Sequence, residues 1–312
     1  MIAAIVNPAS ADGRTEKEWP AIRSALESEL DPVKVFTTGA RFHAAELARQ
    51  VLKEGATTVV AVGGDGTINE VVNGFFEDGQ PLNRDTRLAI ILRGTGGDFV
   101  RSCSFPRTIP DLVQNLKQGK AQPCDVGRMV MEPVNGGPPE RYFINVADVG
   151  VGGLVVDIVN NSPKFLGGTL SFFLAGLRAT LFQYKNAPLR IEVDGKVMSE
   201  QTPHYFVAVA NGTHFGGGMH VASEAKLNDG LLDVVVVGDL TLPEKILFAV
   251  KLYQGKVGQV KKVQICRGRQ VNIRSRQKVF IEADGELVGT TDAQFEVLPS
   301  ALHIIGLKFT PV

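Results

Sequence analysis

Up to about residue 125, short apolar runs alternate with segments whose apolar residues recur at helical spacing. Each run has the length of a buried strand, and a helical segment separates it from the next run. Strands that alternate with helices in this way predict a doubly wound α/β lobe with a parallel sheet and helices on both faces. The predicted strands are residues 2–6, 33–37, 57–62 and 88–92, and the predicted helices are residues 16–30, 43–54, 68–75 and 109–118.

Beyond about residue 125, strand-like runs dominate and Asp-Gly pairs mark turns between them. The pattern predicts an antiparallel β lobe with helical insertions near residues 163–182 and 243–254. We therefore expect an α/β domain over residues 1–126 and a mostly antiparallel β domain over residues 127–299. We also expect residues 300–312 to return to the first domain. The predicted strands are residues 142–146, 189–193, 204–210, 231–237, 270–273, 278–282 and 294–297.

Charge and cysteine content exclude several classes of protein. The 312 residues carry 33 basic and 33 acidic side chains, so neither a nucleic-acid footprint nor a polybasic lipid-binding run is expected. The three cysteines have no CxxC spacing, which fits a reducing compartment. The N-terminus has no positively charged leader, and the apolar run over residues 165–177 is too short to span a bilayer. We expect a cytoplasmic protein that can touch the inner face of the membrane.

The turn at residues 63–67, Gly-Gly-Asp-Gly-Thr, joins a predicted strand to a predicted helix. Glycines at such a turn let backbone N–H groups converge at the positive end of the helix dipole, which suits a phosphate group. Asp65 lies inside this turn, where a bare carboxylate repels phosphate. It therefore needs a cation or a transferable proton beside it.

Two further loops are expected at the same edge of the sheet. Residues 94–98 and residues 7–10 also follow predicted strands, and the carboxyl ends of parallel strands share one edge. Either these are ordinary tight connections, or three loops with amide and hydroxyl donors surround one anion, and we favour the second. The pattern is neither a P-loop nor a GxGxxG fingerprint, since the required lysine and third glycine are missing.

Residues 63–74, Gly-Gly-Asp-Gly-Thr-Ile-Asn-Glu-Val-Val-Asn-Gly, resemble the signature of the diacylglycerol-kinase catalytic domain. This family includes bacterial diacylglycerol kinases, sphingosine kinases and ceramide kinases. The resemblance spans most of the chain, and it implies a nucleotide-binding lobe like that of phosphofructokinase and NAD kinase, followed by a β-sandwich lobe. The other stretches similar to family motifs are residues 7–10 (NPxSG), 37–44 (a threonine loop), 94–101 (GTxNDFAR), 211–219 (NGxxxGGG), 226–233 (xDGxLD) and 284–286 (DGE).

The chain departs from the family pattern at three positions. Gly97 stands where the family has Asn, Ala11 replaces the glycine of NPxSG, and Ser223 replaces a proline. None of these changes removes an acidic residue. Only the change at Gly97 bears on the chemistry, because the asparagine side chain that the family has near the phosphates is missing there.

The resemblance implies ATP and Mg²⁺ as cofactors and assigns roles to two carboxylates. Asp65 either holds Mg²⁺ against the phosphates or accepts the proton of the substrate hydroxyl, as in sphingosine kinases. Glu286 maps onto the catalytic base of bacterial members, and we prefer it as the base with Asp65 as the metal and phosphate organiser. The predicted nucleotide-binding residues are Asn7, Pro8, Ala9, Ser10, Thr38, Gly63, Gly64, Asp65, Gly66, Thr67, Asn69, Glu70, Gly94 and Thr95.

Two metal positions are also expected from the resemblance. Asp125 either joins Asp65 in a water-mediated Mg²⁺ network or caps a hinge. Asp229 holds a structural Mg²⁺ with the backbone oxygens of Lys226 and Leu231, unless residues 228–230 form a simple type I turn. Asp98 is expected to cap the helix at Phe99 rather than to bind a metal. His214 and His220 are expected to be ordinary core or surface residues.

We expect an ATP-dependent lipid kinase that phosphorylates the hydroxyl group of diacylglycerol and gives phosphatidate. A sphingoid base or a ceramide is the alternative acceptor. A catalytically inactive nucleotide- and lipid-binding regulator is a rival from another class. A dinucleotide-dependent oxidoreductase is a third rival, but it requires an acidic ribose-binding residue after the second strand, and this sequence has none there. The helical segment at residues 165–182 is a candidate for lining the acceptor pocket or touching the bilayer. Pairing of two copies through the β lobe is a further expectation.

Overall fold

The computed structural model describes residues 1–30, 32–94, 96–106, 108–134, 136–160 and 184–309. The chain folds into two compact units. Unit 1 comprises Met1–Val126 and Pro299–Val312, and unit 2 comprises Gly127–Leu298. The chain therefore leaves unit 1 after its last helix and returns to it near its end.

Unit 1 contains a parallel sheet. Its strands are β1 (Ile2–Val6), β2 (Val33–Thr37), β3 (Thr58–Gly63), β4 (Phe76–Glu77), β5 (Gln80–Pro81) and β6 (Arg87–Leu92), and its helices are α1 (Arg14–Glu27), α2 (His43–Lys53), α3 (Asp65–Gly74), α4 (Asp98–Arg101) and α5 (Ile109–Gln118). The parallel strands lie in the order β2-β1-β3-β6, and the returning chain pairs with β6 at His303 and Ile304. The strands β4 and β5 form a separate short hairpin.

Helices cover both faces of this sheet. Ala4 and Val6 of β1 pack in one core with Leu26 of α1 and Leu116 of α5. Because side chains alternate along a strand, Ile5 belongs to the other face, where α2 contacts β1 and α3 contacts β3. The predicted doubly wound lobe is confirmed.

Unit 2 is an antiparallel β structure. Its strands are β7 (Ala121–Pro133, which starts in unit 1), β8 (Glu140–Phe143), β9 (Val146–Gly150), β10 (Ala187–Val193), β11 (Lys196–Ala210), β12 (His214–Phe215), β13 (Met219–His220), β14 (Leu232–Gly238), β15 (Val263–Gly268), β16 (Gln270–Arg274), β17 (Phe280–Ala283) and β18 (Glu286–Ile305, which ends in unit 1), and its helices are α6 (Val151–Asn160) and α7 (Leu242–Tyr253). One path of paired strands runs β15-β14-β11-β10-β16-β18, and β9 joins β11 to β17.

Alternation along the central strands builds two cores. Val207 and Val209 of β11 face the interior between the strand layers, whereas Phe206 and Ala208 face α6 and α7. The predicted β lobe is confirmed. Its strongly apolar strands are explained by burial on both sides.

The sequence pattern missed or displaced several elements. Helix α3 begins at Asp65 rather than at residue 68, and neither β7 nor α6 was predicted. The helical segment expected at residues 165–182 lies outside the described residues. No helix in the described ranges is long and apolar enough to cross a membrane.

Candidate active site

The two glycine turns of unit 1 lie against each other at the carboxyl ends of β3 and β6. The Arg93 N–H donates to the Gly63 carbonyl at 2.6 Å. A Cβ atom placed on Gly94 would lie 2.7 Å from the Gly64 Cα. Only glycine fits this approach, so the two turns form one continuous backbone surface, as their shared sheet edge predicted.

Asp65 is the first residue of α3 and faces the second glycine turn. Its Oδ2 accepts the Gly97 N–H at 2.6 Å. Its Oδ1 is buried and accepts no hydrogen bond from the described residues. Burial is the main cause that raises the pKa of this carboxyl, the Gly97 N–H opposes it, and the charge of Asp98 adds to it. A buried carboxylate oxygen without a partner is costly, which fits a cation or a proton at this position.

The backbone conformation at position 97 explains why glycine can stand where the family has asparagine. Gly97 has a left-handed φ of 70°, and it forms the N-cap of α4. Glycine and asparagine are the residues that adopt this conformation most readily, so the exchange keeps the backbone contact to Asp65 and removes only the amide side chain. Asp98 was expected to cap α4, but it is the first residue of that helix and pairs with Arg101 at 2.8 Å.

The loop after β1 is tied to the first glycine turn. The Asn7 Nδ2 donates to the Thr67 Oγ1 at 2.9 Å, and the Asn7 Oδ1 accepts the Ala9 N–H at 3.1 Å. The Ser10 hydroxyl donates to the Asn7 carbonyl at 2.8 Å. The Asn7 side chain therefore organises the loop, and the loop's backbone is held at the same sheet edge as the glycine turns.

A pocket of about 420 Å³ opens beside these loops. This volume lies within the usual range for small-molecule sites. It includes Arg41, whose guanidinium is a cationic group that sequence reasoning did not single out. The lining residues are Asn7, Pro8, Ala9, Thr38, Gly39, Ala40, Arg41, Ala44, Thr67 and Glu70.

Glu70 holds the loop that forms the far side of this pocket. Its Oε1 accepts the Phe42 N–H at 2.9 Å, and its Oε2 accepts the Ala44 N–H at 3.1 Å. These are donors at the N-terminus of α2, where a carboxylate is favourable. Glu70 thus positions the loop that carries Arg41.

Other predicted residues of unit 1 have structural partners. Asn69 is buried and accepts from the Asn73 side chain. Asp125 is buried on β7 and accepts the Ser300 N–H at 2.7 Å, so it fastens the returning chain. Thr95 lies outside the described residues. Ser10, Gly63, Gly64 and Gly94 belong to the turns described above, and Gly66 lies in the first turn of α3.

In unit 2, the Asp284 carboxylate fixes the turn that carries Glu286. It accepts the N–H groups of Ile144, Asn145 and Val146 at 2.9 to 3.1 Å. Three backbone donors on one carboxylate make a strong, directed anchor. The sequence marked Asp284 only as a turn and motif residue.

Glu286 begins β18 and faces Arg141. Its Oε2 lies 3.6 Å from the Arg141 Nη2, and the Arg141 side chain is only 6% exposed. The buried Arg141 guanidinium is therefore a cationic neighbour of this carboxylate. Arg141 was not predicted, although a charged residue next to the apolar residues 142–144 was a visible signal.

The Asn211-Gly212 stretch lies beside the Asp284 anchor. The Asn145 carbonyl accepts the N–H groups of both Asn211 and Gly212 at 2.8 Å. The Asn211 Nδ2 donates to the Ile144 carbonyl at 2.8 Å. Two motifs that are 73 residues apart in the chain, at Asn211 and Asp284, therefore meet on residues 144–146.

Asp148 and Glu282 form a buried acid pair next to this cluster. They lie opposite each other on β9 and β17 and are 0% and 3% exposed. The Glu282 Oε2 accepts the Gly285 N–H at 2.9 Å, and the Gly152 N–H and the Glu282 side chain act on the Asp148 carboxyl. Burial raises the pKa of Asp148 to about 7 and also raises the pKa of Glu282, which Asp148 and Asp284 raise further. A shared proton satisfies the pair.

This acid pair predicts that stability falls as the pH rises. Between the ordinary carboxyl pKa near 4 and about pH 7, the folded pair binds more protons than the unfolded chain, so the free energy of unfolding decreases with pH. Replacing Asp148 with asparagine, which can donate to Glu282, is expected to raise the free energy of unfolding at about pH 8 by roughly 1–3 kcal/mol. Denaturant unfolding at several pH values measures this.

The gain should shrink towards about pH 5, where the wild-type pair holds its proton. Glu132→Gln, which removes an exposed carboxylate paired with Lys278, is the matched control and should give no such pH-dependent gain. Equal stability of wild type and Asp148→Asn at both ends of the pH range would contradict the assignment. The neighbouring groups also act on the pair: Asp284 raises the pKa of Glu282, whereas the Gly152 N–H lowers the pKa of Asp148 and the Gly285 N–H lowers that of Glu282.

The Asp229 carboxylate makes a hydrogen bond within its own turn. The Asp229 Oδ1 accepts the Leu231 N–H at 3.1 Å, and both Asp229 and Lys226 are exposed. Within the described ranges, no group of three or more His, Cys, Asp or Glu side chains could hold an ion. One carboxylate and two carbonyl groups suit only an ion that keeps most of its water.

The two histidines of this region pack against each other. The rings of His214 and His220 stack with centroids 4.2 Å apart, and burial lowers the pKa of His220. The stacked rings fit the expectation of ordinary structural residues.

Two family models match the chain. The diacylglycerol kinase catalytic domain matches residues 1–129, and the YegS C-terminal NAD kinase beta sandwich-like domain matches residues 145–306. Together they cover both units. The order of the two matches agrees with the order of the motifs along the sequence.

Two relatives are similar over nearly the full length. Diacylglycerol kinase from Bacillus subtilis (strain 168) is 28% identical over 308 residues, covering 97% of this chain and 95% of the relative. Diacylglycerol kinase from Staphylococcus aureus (strain MRSA252) is 29% identical over 294 residues, covering 93% and 87%. A crystal structure of a diacylglycerol kinase from Bacillus anthracis str. Sterne aligns with a TM-score of 0.69 and 20% identity over 99% of this chain and 97% of that chain, which supports the fold. Yeast NADH kinase complexed with NADH aligns with a TM-score of 0.56 and 12% identity over 99% and 84%.

Proposed function

Because this chain belongs to the diacylglycerol kinase family, we propose that it transfers the γ-phosphoryl group of ATP to the hydroxyl group of diacylglycerol, giving phosphatidate. The observation that carries the proposal is Asp65. It is a buried carboxylate with one oxygen that has no partner among the described residues, and it lies among glycine turns that offer backbone N–H groups to phosphates. In a site that only bound phosphate, the negative charge of the Asp65 carboxylate would oppose binding.

The pocket of unit 1 is assigned to ATP. Its loops supply backbone N–H groups at the end of a parallel sheet, and Arg41 supplies a positive charge. Phosphoryl transfer needs positioning and charge stabilisation more than covalent chemistry. Asn7 and Glu70 serve this purpose by holding the loops rather than by touching the phosphates.

Mg²⁺ fits the residues around Asp65. The unpartnered Oδ1 is a hard oxygen ligand, and its burial is explained if a cation compensates it. When bound, the ion neutralises charge on the phosphates. A role for Asp125 in a water-mediated Mg²⁺ network with Asp65 is less favoured, since the Asp125 Oδ1 already accepts the Ser300 N–H.

Glu286 is assigned as the general base that accepts the proton of the lipid hydroxyl. Asp284 and Glu282 fix its turn through backbone N–H groups, and the Arg141 guanidinium lies beside its carboxylate. Asp65 remains the rival base. Its raised pKa would make it the better proton acceptor only if no cation lies beside it.

The acceptor class is tested with purified protein, radiolabelled ATP and separate diacylglycerol, ceramide and sphingoid-base substrates. The proposal expects label in phosphatidate. Label only in a sphingoid or ceramide product would keep the chemistry and replace the acceptor. A non-catalytic regulator predicts ATP binding without any labelled lipid. Gly97, the only feature that favoured a regulator, keeps its backbone contact to Asp65.

A structural metal at Asp229 predicts a chelation effect. If the Lys226 and Leu231 carbonyl groups and Asp229 hold Mg²⁺, a chelator should lower the melting temperature of the wild type by a few degrees but not that of Asp229→Ala. Asp85→Asn, an exposed carboxylate in unit 1, is the control and should behave like the wild type. The same melting temperature with and without chelator would mean that the Asp229 turn closes by its Leu231 hydrogen bond alone.

A further inference from the structure

Helix α7 of unit 2 has apolar residues on two opposite faces. Phe248 and Leu252 lie on the inner face and are 2% and 5% exposed in the core beneath the helix. Ile246 and Val250, on the other side, are 57% and 50% exposed. A helix on the surface of a soluble domain normally presents polar residues there.

The exposed apolar side chains are concentrated on this helix. Eight large apolar residues of the described ranges are exposed, and five of them belong to α7. We call these five the outer patch. Its members are Leu242, Ile246, Leu247, Val250 and Tyr253. Single exposed apolar residues are ordinary, whereas a group on one helix indicates a binding surface.

The sequence from α7 onwards is rich in basic residues, of which Lys262, Arg267 and Lys278 pair with acidic side chains. Residues 245–281 contain ten Lys and Arg residues and no Asp or Glu, although the whole chain has a net charge of zero. Lys256 and Lys261 of this stretch follow α7 and are exposed. The basic residues are spread out rather than contiguous, so the sequence showed no polybasic run.

We propose that the outer patch docks on the surface of an anionic lipid bilayer. A helix that presents an apolar face between lysines lies in the interface, with the apolar side chains among the acyl chains and the lysines at the headgroups. The charge selects this occupant, since a purely apolar partner would give no reason for the exposed Lys256 and Lys261 that follow the helix. This proposal rests on the proposed function in one respect: an enzyme with a lipid acceptor must reach that lipid in a membrane.

The test is co-sedimentation of the full chain with vesicles of phosphatidylcholine, with and without phosphatidylglycerol. The wild type should bind the anionic vesicles and be released by salt. The double variant Ile246→Gln and Val250→Gln should lower the partition coefficient at least about tenfold. Lys256→Gln should lower binding to anionic vesicles about fivefold and leave binding to neutral vesicles unchanged.

Val197→Gln is the matched control. Val197 is 42% exposed on β11, away from α7, and its replacement should leave vesicle binding unchanged. All changed positions are exposed, so the melting temperatures should stay close to that of the wild type, and circular dichroism checks the fold.

Wild-type binding that is absent, or that the double variant retains, would overturn the proposal. A lipid-free dimer that the double variant dissociates, measured by sedimentation velocity, would instead identify the outer patch as an interface between two copies. Vesicle binding as expected in a protein that labels no lipid would refute the proposed function and leave this proposal standing. With a water-soluble short-chain acceptor, the double variant should keep wild-type turnover.

Discussion

The replacement of Asp65 by asparagine should lower kcat by at least about 10³-fold, which is the scale of losing a preorganised electrostatic group in an active site. Asparagine keeps the size of the side chain and an oxygen that can accept the Gly97 N–H, now 2.6 Å from Oδ2. It removes the negative charge at the buried Oδ1, and with it the means to hold a cation against the phosphates. Steady-state transfer of labelled phosphate measures the loss.

ATP binding separates the possible causes. We expect Asp65→Asn to bind ATP in the absence of Mg²⁺ about as well as the wild type, and to lose the gain that Mg²⁺ gives the wild type. Asp85→Asn, an exposed carboxylate of the same unit, should leave both turnover and binding unchanged. Wild-type turnover in Asp65→Asn would show that the unpartnered oxygen has no part in the reaction.

Glu286→Gln should lower kcat by roughly 10²–10⁴-fold while ATP binding stays unchanged, because a general base contributes on this scale. Glutamine fills the same space near Arg141 and disturbs neither the Asp284 anchor nor the Glu282 contact to Gly285. Only the ability to take up a proton is lost. The rate should also lose its dependence on pH on the acidic limb.

Glu224→Gln is the control for this change, since Glu224 is an exposed carboxylate of unit 2 that lies near Arg267. Full turnover in Glu286→Gln, together with no turnover in Asp65→Asn, would move the role of base to Asp65. Partial loss in both variants with unchanged pH profiles would mean that neither carboxylate takes the proton.

The local part of the fold was readable from the sequence. Helix α5 has the predicted bounds, and the four parallel strands β1, β2, β3 and β6 differ from the predicted ones by one residue at most. These elements have strong apolar periodicity and clear ends, such as Gly119 after α5. The meeting of the two glycine turns also followed from the sequence, because parallel strands bring their carboxyl ends to one edge.

Elements with weak local preference were missed. Helix α6 begins Val-Gly-Gly, and both glycine and a β-branched residue disfavour a helix, so only tertiary packing explains it. Helix α3 starts three residues before its predicted first residue, because Asp65 lies at the N-terminus of the helix, where a negative charge is favourable.

The contacts that organise the site could not be read locally. Glu70 reaches back to Phe42 and Ala44, and Asp284 reaches back to Ile144, and such pairings depend on how the strands are ordered in space. Asp148 offered a hint, since an acid within the apolar strand β9 is unusual. Its partner Glu282 is 134 residues away, so the pair appears only in the fold.

Transfer of label from γ-labelled ATP to lipid by the purified chain tests the central claim most directly. Wild-type protein with Mg²⁺ and mixed vesicles containing diacylglycerol should move the label into the organic phase as phosphatidate, and Asp65→Asn under the same conditions should not. Absence of labelled lipid with every acceptor, from a folded protein that binds ATP, would contradict the account.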